Sequence, residues 1–469
     1  MIGNQARRHR AEKSSTVEEV AMRKRYIFLG IAGVLAAGVG ATVYMVSPTV
    51  HAGQTGESPE LGRTGDYPLG TMERDFTMAD RTTITTWGAI SGNLATVDRT
   101  LSVRFWYPAQ GGTQPGDQPV SYRHELQLPG NEPVAVVSDG IAMADADPLT
   151  DERFPLVLMS HGYGGWNTQF SNLAEHIASR GYIVASINHE DMPASGVTSF
   201  MLSFGNVLAD RMLDQRLILD QILSDARGGE AAYAAQINPD RVGLIGYSMG
   251  GYGAIANAGA PYAVEDGPLS NIPDSAQQNI TQALSEGVQV HALVAFAPWG
   301  GQPDSRAWSA ENLSNIDIPV LLVAGNQDDI VNYDEGITWL FENLTGTDRY
   351  MLVFREARHN IVGNQFDFEP DTIFAAHEAL SEPVWRSDRL NAINQHFVTA
   401  FLDLVLKGDE EKARYLNVPT VDSNDSEWPL SFAEQLNGTL AGPENEQHWQ
   451  GFQRRWAVGL EMHRASRGE

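Results

Sequence analysis

Ser248 lies in the run Gly246-Tyr247-Ser248-Met249-Gly250-Gly251. An apolar strand pattern at 241–246 leads into it, and a small-residue helical pattern starts at Met249. A tight strand-to-helix turn lifts a serine above a sheet, and flanking glycines remove Cβ clashes at such a turn. A serine hydroxyl is a weak nucleophile until a base takes its proton, and that base needs an orienting acid. Gly325-Asn326-Gln327-Asp328-Asp329 follows one apolar run downstream, and Arg358-His359-Asn360 follows the next. His359 is the candidate base and Asp328 the candidate acid. Asp329 competes for the acid role, and the aspartate that does not serve reads as a turn cap.

Acyl transfer also needs donors for the oxyanion that forms at the attacked carbonyl. The N–H of Met249, the residue after the nucleophile, is one candidate. His161-Gly162-Tyr163-Gly164-Gly165 follows the apolar run 155–160 directly, so the Tyr163 N–H is the second. His161 reads as a structural support of that loop. Trp299 follows Pro298 at the end of the 293–297 run, and with Tyr163 it is a candidate substrate-binding wall; for Trp299, plain core packing is the equal alternative. Asn188-His189-Glu190-Asp191 follows a strand; it reads first as loop-stabilising hydrogen bonding, with a place in the cleft lining as the alternative. The apolar stretch 197–208 is either a hydrophobic entrance or buried surface.

These groups need a scaffold that brings strand ends together. Apolar runs at 101–107, 155–160, 182–187, 241–246, 293–297, 320–324 and 350–354 alternate with helical patterns near 169–180, 206–226 and 395–407. Strands separated by helices imply a mostly parallel, doubly wound α/β sheet with right-handed crossovers. Residues 109–133 are turn-rich and read as a long loop. The organisation expected is an α/β domain over 71–415, with 261–290 as a possible cap insertion. Residues 416–469, which hold Trp428, Trp449 and Trp456, form an extension packed on that domain.

The N-terminus differs in kind. Residues 1–25 are basic, 26–46 carry no charge, and 53–70 are rich in Gly, Pro and Ser like a linker. Twenty-one helical residues span about 30 Å, enough for a bilayer core. The segment reads as a signal anchor or a signal peptide cleaved after Ala52, and either reading places the body outside the cytoplasmic membrane. It is then membrane-anchored, or secreted or periplasmic if cleaved.

The chain of 469 residues has 32 basic and 59 acidic residues, a net charge of −27. Residues 1–52 hold seven Lys/Arg and three Asp/Glu, so the remainder, with 25 and 56, carries −31. Such a body repels nucleic acid. With no cysteine, disulfides, thiolate catalysis and thiolate-ligated zinc are excluded. No metal or dinucleotide motif stands out, so no cofactor or metal is expected.

The residues resemble the α/β-hydrolase superfamily over about 100–410. The nearest groups are dienelactone-hydrolase-like esterases, including polyester hydrolases of the cutinase type, and platelet-activating-factor acetylhydrolases. The resemblance is carried by H-G-Y-G-G at 161–165, G-Y-S-M-G-G at 246–251, A-P-W at 297–299, G-N-Q-D-D-I-V at 325–331 and R-H-N at 358–360. It implies Ser248, Asp328 and His359 as a triad, Met249 and Tyr163 as oxyanion donors, and Trp299 as an aromatic wall. The acetylhydrolases resemble 188–191 but place their acid near 293–298, where this chain has Phe296. The expected function is a serine hydrolase of carboxylic esters acting on a small or lipid-like ester. The alternatives are a lipid acyl hydrolase of the acetylhydrolase type, a serine peptidase of the same fold, and a non-catalytic membrane-tethered binding protein. Oligomeric state stays open.

Overall fold

Strands form where apolar runs can be covered on both sides. The computed structural model describes residues 58–469 apart from 92–93, 112–117, 129, 192–195, 230, 288, 367, 369–371, 428–430, 432, 434–446 and 454–455. The strands are β1 (Leu69–Thr83), β2 (Ala95–Pro108), β3 (Ser121–Leu126), β4 (Val134–Asp139), β5 (Met143–Ala144), β6 (Phe154–Ser160), β7 (Ile183–Ile187), β8 (Ile237–Tyr247), β9 (Ala292–Phe296), β10 (Val320–Gly325), β11 (Arg349–Phe354) and β12 (Leu460–Ala465). Among the described residues, ten strands make one sheet in the order β12-β11-β10-β9-β8-β6-β7-β2-β1-β5. The six central strands, β11 to β7 in that order, run parallel. The pairings of β1 with β2, β2 with β7 and β11 with β12 are antiparallel. Every residue of β6, β7, β9, β10 and β11 is buried, as parallel strands covered on both faces require. Toward the edge, β1 turns to alternating burial.

Five helices matter for the site: α1 (Ser171–Ser179), α2 (Val197–Gly228), α3 (Met249–Asn257), α4 (Asp274–Ser285) and α5 (Ser387–Leu402). α3 packs between β8, β9 and α2. Its small residues make that close approach possible, since Gly253 leaves room for the Gln215 side chain of α2. α1 packs on α5, where His176 Nε2 meets Thr399 Oγ1 at 2.9 Å.

Several elements differ from the sequence pattern. Residues 121–126 are not loop: β3 pairs with β4 as a hairpin. That hairpin buries Leu126 and Val136 with Trp166 and Ala376 in a small cluster apart from the main core. Short alternating strands on a satellite core carry few apolar residues, so the turn-rich flanks mask them. α2 starts at Val197, nine residues before the helical stripe shows, because its first turns are partly exposed. α5 begins at Ser387, and its 395–407 pattern ends in a π turn over Asp403–Lys407. Residues 261–290 contain α4, which sets Ala276 and Ile280 into the core beside α2.

At the C-terminus β12 pairs with β11, and Trp449 is buried with its Nε1 donating to the Thr420 carbonyl at 3.2 Å. Within 53–70, residues 60–62 form a 3-10 turn against α5, where the Leu61 N–H donates to His396 Nδ1 at 3.1 Å. Residues 26–46 and Ala52 lie outside the described residues. Among the described residues no helix is long and apolar enough to cross a membrane.

Candidate active site

Sheet register brings the candidate residues to one edge. Gly246 pairs with Ser160, Tyr247 with Phe296, Phe296 with Val323, and Gly325 with Phe354. The loops carrying residues 161–165, Ser248, Trp299, Asp328 and His359 therefore all leave the carboxyl ends of parallel strands. Open α/β sheets bind ligands at that edge.

Ser248 holds φ 51° and ψ −115°, a positive φ that costs a non-glycine residue energy. Its neighbours make the turn possible. A Cβ on Gly246 would sit 2.4 Å from the Gly250 carbonyl oxygen, and one on Gly250 would sit 2.0 Å from the Ser160 carbonyl oxygen. The Ser248 N–H donates to the Phe296 carbonyl at 2.9 Å, which ties the turn to β9. α3 starts at Met249, so its N-terminal dipole end favours negative charge beside the serine.

Asp328 and His359 meet across the β10 and β11 loops. His359 Nδ1 donates to Asp328 Oδ2 at 2.7 Å. Asp328 Oδ1 accepts from the N–H groups of Ile330 at 2.9 Å and Val331 at 3.1 Å. The Asp328 side chain is fully buried, whereas that of His359 keeps 15% exposure. Asp329 points to solvent, two-thirds exposed, and pairs with Arg358 at 3.2 Å. The neighbouring aspartates thus occupy different environments, and only Asp328 touches the histidine.

The His359 ring lies against Tyr247, residue 247 being next to the serine, with centroids 5.1 Å apart. Burial, reinforced by the Asp328 charge, pushes the Tyr247 phenol well above its ordinary pKa, so it stays a neutral wall. Among the described residues Ser248 Oγ makes no hydrogen bond. Catalytic contacts of this kind often tighten only with substrate bound.

The Tyr163 and Met249 N–H groups likewise bond to no other described residue. The Tyr163 hydroxyl donates to Ser203 Oγ of α2 at 2.8 Å. The Trp299 N–H donates to the Ser248 carbonyl at 3.1 Å, and its ring meets Phe204 edge-on at 5.3 Å and Tyr252 at 5.6 Å. Phe204 stacks on Phe200 at 5.6 Å, and both rings meet Tyr163 edge-on. An aromatic wall therefore runs from the nucleophile turn to the first turns of α2, where Val197, Phe200 and Met201 are exposed.

One group of residues near the site is joined by contacts that the sequence does not signal. Asp214 of α2 accepts from Arg81 at 3.0 Å, Arg99 at 2.9 Å and His189 at 3.0 Å, and Asp210 pairs with Arg81 at 2.6 Å. Arg211 pairs with Asp191 at 2.6 Å. Asn188-His189-Glu190-Asp191 was legible as loop-stabilising hydrogen bonding, but its partners come from β2, the end of β6, the 161–165 loop and α2.

Comparison with known proteins reaches part of the chain. Residues 135–211 match the family model described as platelet-activating factor acetylhydrolase, isoform II. That stretch runs from β4 into α2 and includes the 161–165 loop, but it ends before Ser248. The chain is 41% identical over 51 residues to a platelet-activating factor acetylhydrolase of Bos taurus, and 43% identical over 51 residues to that of Canis lupus familiaris. Each match covers 11% of this chain and 12% of the relative, so the chain spans about an eighth of the length of these curated relatives. A ferulic acid esterase from Streptomyces cinnamoneus superposes with a TM-score of 0.48 and 20% identity, over 75% of this chain and 94% of that one.

Proposed function

We propose that this chain, similar in part to the platelet-activating factor acetylhydrolases, is a serine hydrolase of carboxylic esters. The observation that carries the reading is the Asp328–His359 hydrogen bond beside a serine held at positive φ on a strand-to-helix turn. In the reaction, His359 Nε2 takes the Ser248 proton as Oγ attacks the ester carbonyl. Asp328 holds Nδ1–H, so Nε2 is the free base, and it stabilises the imidazolium that forms. The N–H groups of Tyr163 and Met249 receive the oxyanion. His359 then returns the proton to the leaving alcohol, and water resolves the acyl-enzyme by the same steps.

A second reading is a lipid acyl hydrolase. The match over 135–211 and the exposed apolar turn of α2 beside the aromatic wall favour it. The experiment that tests both is hydrolysis of p-nitrophenyl esters from acetate to palmitate by the wild type and by Ser248→Ala. Serine-dependent turnover supports the esterase, and the chain-length optimum separates a short-acyl from a lipid-acyl enzyme. No turnover from folded wild type rejects both readings.

For location, the reading is a body held outside the cytoplasmic membrane by residues 26–46 or released after Ala52. N-terminal sequencing of the mature protein decides: a start at Gly53 means release, and an intact N-terminus means an anchor.

A further inference from the structure

An oxyanion hole works only if its donors are already aimed, because reorienting them during reaction costs the energy they supply. The Tyr163 N–H lies in the glycine-rich loop 161–165. The Tyr163 ring packs on Phe200 and Phe204, but Gly164 at the outer end of the loop is exposed. Gly164 has φ +69°, and a Cβ there would meet nothing within 4 Å.

Hydrogen bonds from beneath hold it instead. The Gly164 N–H donates to Asp191 Oδ2 at 2.8 Å. Arg211 Nη2 donates to the same oxygen at 2.6 Å and reaches the Gly162 carbonyl at 3.5 Å. His161 Nδ1 also donates to the Gly162 carbonyl, at 2.7 Å. His161 Nε2 accepts the His189 N–H at 3.1 Å, so a neutral tautomer is required. Burial, helped by the Arg211 charge, holds the His161 pKa well below its ordinary value. Burial alone would raise the Asp191 pKa, but Arg211, the neighbouring His161 and His189 and the Gly164 amide together hold it below its ordinary value.

The Asp191–Arg211 pair is almost completely buried, at 5% and 0% side-chain exposure. Desolvation offsets most of the attraction in such a pair, so it is a poor way to gain stability. Arg211 Nε and Nη1 are buried without partners among the described residues, so the guanidinium is not placed for the most bonds. What the pair does achieve is a fixed acceptor under one amide of the loop.

We propose that Asp191, oriented by Arg211, is a positioning residue for the oxyanion hole. Its carboxylate anchors the Gly164 amide, which aims the adjacent Tyr163 N–H at the carbonyl oxygen of an ester held at Ser248. This inference rests on the serine-hydrolase reading.

The test uses the full chain as wild type, Asp191→Ala, and the double variant Asp191→Ala with Arg211→Met. The double variant leaves no unpaired buried charge, so it keeps the test readable if the single variant does not fold. Three quantities are measured: kcat and KM on p-nitrophenyl butyrate, the inhibition constant of phenylboronic acid, and Tm. Phenylboronic acid forms a tetrahedral adduct on a reactive serine. In the folded variants kcat should fall about 10- to 100-fold, less than or similar to loss of a donor itself. KM should stay within about threefold, and boronate affinity should weaken by the same factor as kcat, since both report transition-state binding. A folded double variant with wild-type kcat and boronate affinity overturns the positioning role, as does a loss confined to KM. Wild type that turns over no ester and takes no fluorophosphonate on Ser248 overturns the serine-hydrolase reading instead.

Discussion

Two sets of serine, histidine and aspartate stand together in this chain, one joined throughout and the other joined only at its histidine and aspartate. In one, Asp328 Oδ2 holds His359 Nδ1 at 2.7 Å, and the histidine lies beside the Ser248 turn. In the other, Asp214 Oδ2 holds His189 Nδ1 at 3.0 Å, and His189 Nε2 meets Ser160 Oγ at 2.7 Å. The second set is the better bonded. It is also sealed: Ser160, His189 and Asp214 are 4%, 1% and 0% exposed. Ser160 ends a regular strand, whereas Ser248 sits at positive φ with its hydroxyl unbonded among the described residues. Asp214 divides its charge between two arginines and a histidine, whereas Asp328 serves one histidine and two backbone amides. The same three side chains thus make a structural brace when every bond is satisfied, and a candidate reactive site where the serine hydroxyl is left open and the histidine keeps 15% exposure.

That contrast is broken most sharply at the serines. Ser248→Ala should lower kcat by at least about 10⁴-fold, in the range where nucleophile loss falls in serine hydrolases, with Tm almost unchanged. Ser160→Ala should leave kcat within about fivefold but lower stability by roughly 1–3 kcal/mol, the cost of an unpaired buried partner. Steady-state kinetics and thermal melts on both variants check this, and the reverse assignment of effects would dissolve the distinction.

The acids come next. Asp328→Asn should cut kcat about 10⁴-fold by favouring the wrong histidine tautomer, while Asp329→Asn changes it little. Asp214→Asn should instead lose about 3–5 kcal/mol of stability by leaving buried arginine charge uncompensated, which a denaturant titration measures. An equal kinetic loss at Asp328 and Asp329 would remove Asp328 from the acid role.

Acid should act on the braced regions. Burial holds His189 down to about 4, and His176 and His396 down to about 3. A histidine with a depressed folded pKa contributes stability that is complete above its unfolded pKa, about 6.5. That stability is lost as pH falls toward the folded value, because the unfolded state binds the proton first. Asp210 works in the opposite sense. Burial, then the neighbouring Asp214 charge, raises it to about 6, so the folded form gains a proton as pH falls below 6. The four fully buried histidines, His161 included, outweigh Asp210 and the less shifted Glu175, Asp220 and Glu382, so Tm should fall between pH 6.5 and 4. A flat Tm through that window would mean these histidines are not held neutral.

The smallest effect belongs to the aromatic wall. Phe200 is nearly half exposed, so Phe200→Ala should leave Tm unchanged. If long acyl chains use the wall, the variant should raise their KM roughly three- to tenfold, the worth of one aromatic contact. Acetate esters should be unaffected, and equal effects on both would place the wall outside the acyl path.

Legibility followed the range of the interactions. The alternation of apolar runs with helical patterns was readable because strand and helix periodicity are local. The elbow was readable because one serine and its glycines lie within six residues. The β3–β4 hairpin was hidden, since its few apolar positions pack on Trp166 and Ala376 from distant segments. The first turns of α2 were hidden because half of their apolar residues face solvent.

The sequence by itself determined the parallel α/β order, the turn at Ser248 and the order of the candidate serine, acid and histidine, each read from a short local pattern and its place along the chain. Only the tertiary structure decided which of two adjacent aspartates meets His359, which of two serines is tied to a histidine, and what lies beneath the 161–165 loop. Each of those outcomes depends on burial and register contributed by distant segments: Arg81 reaches Asp214 across 133 residues, and Asp328 reaches His359 across 31. Solvent exclusion belongs to the whole packed assembly, so no window of sequence encodes it.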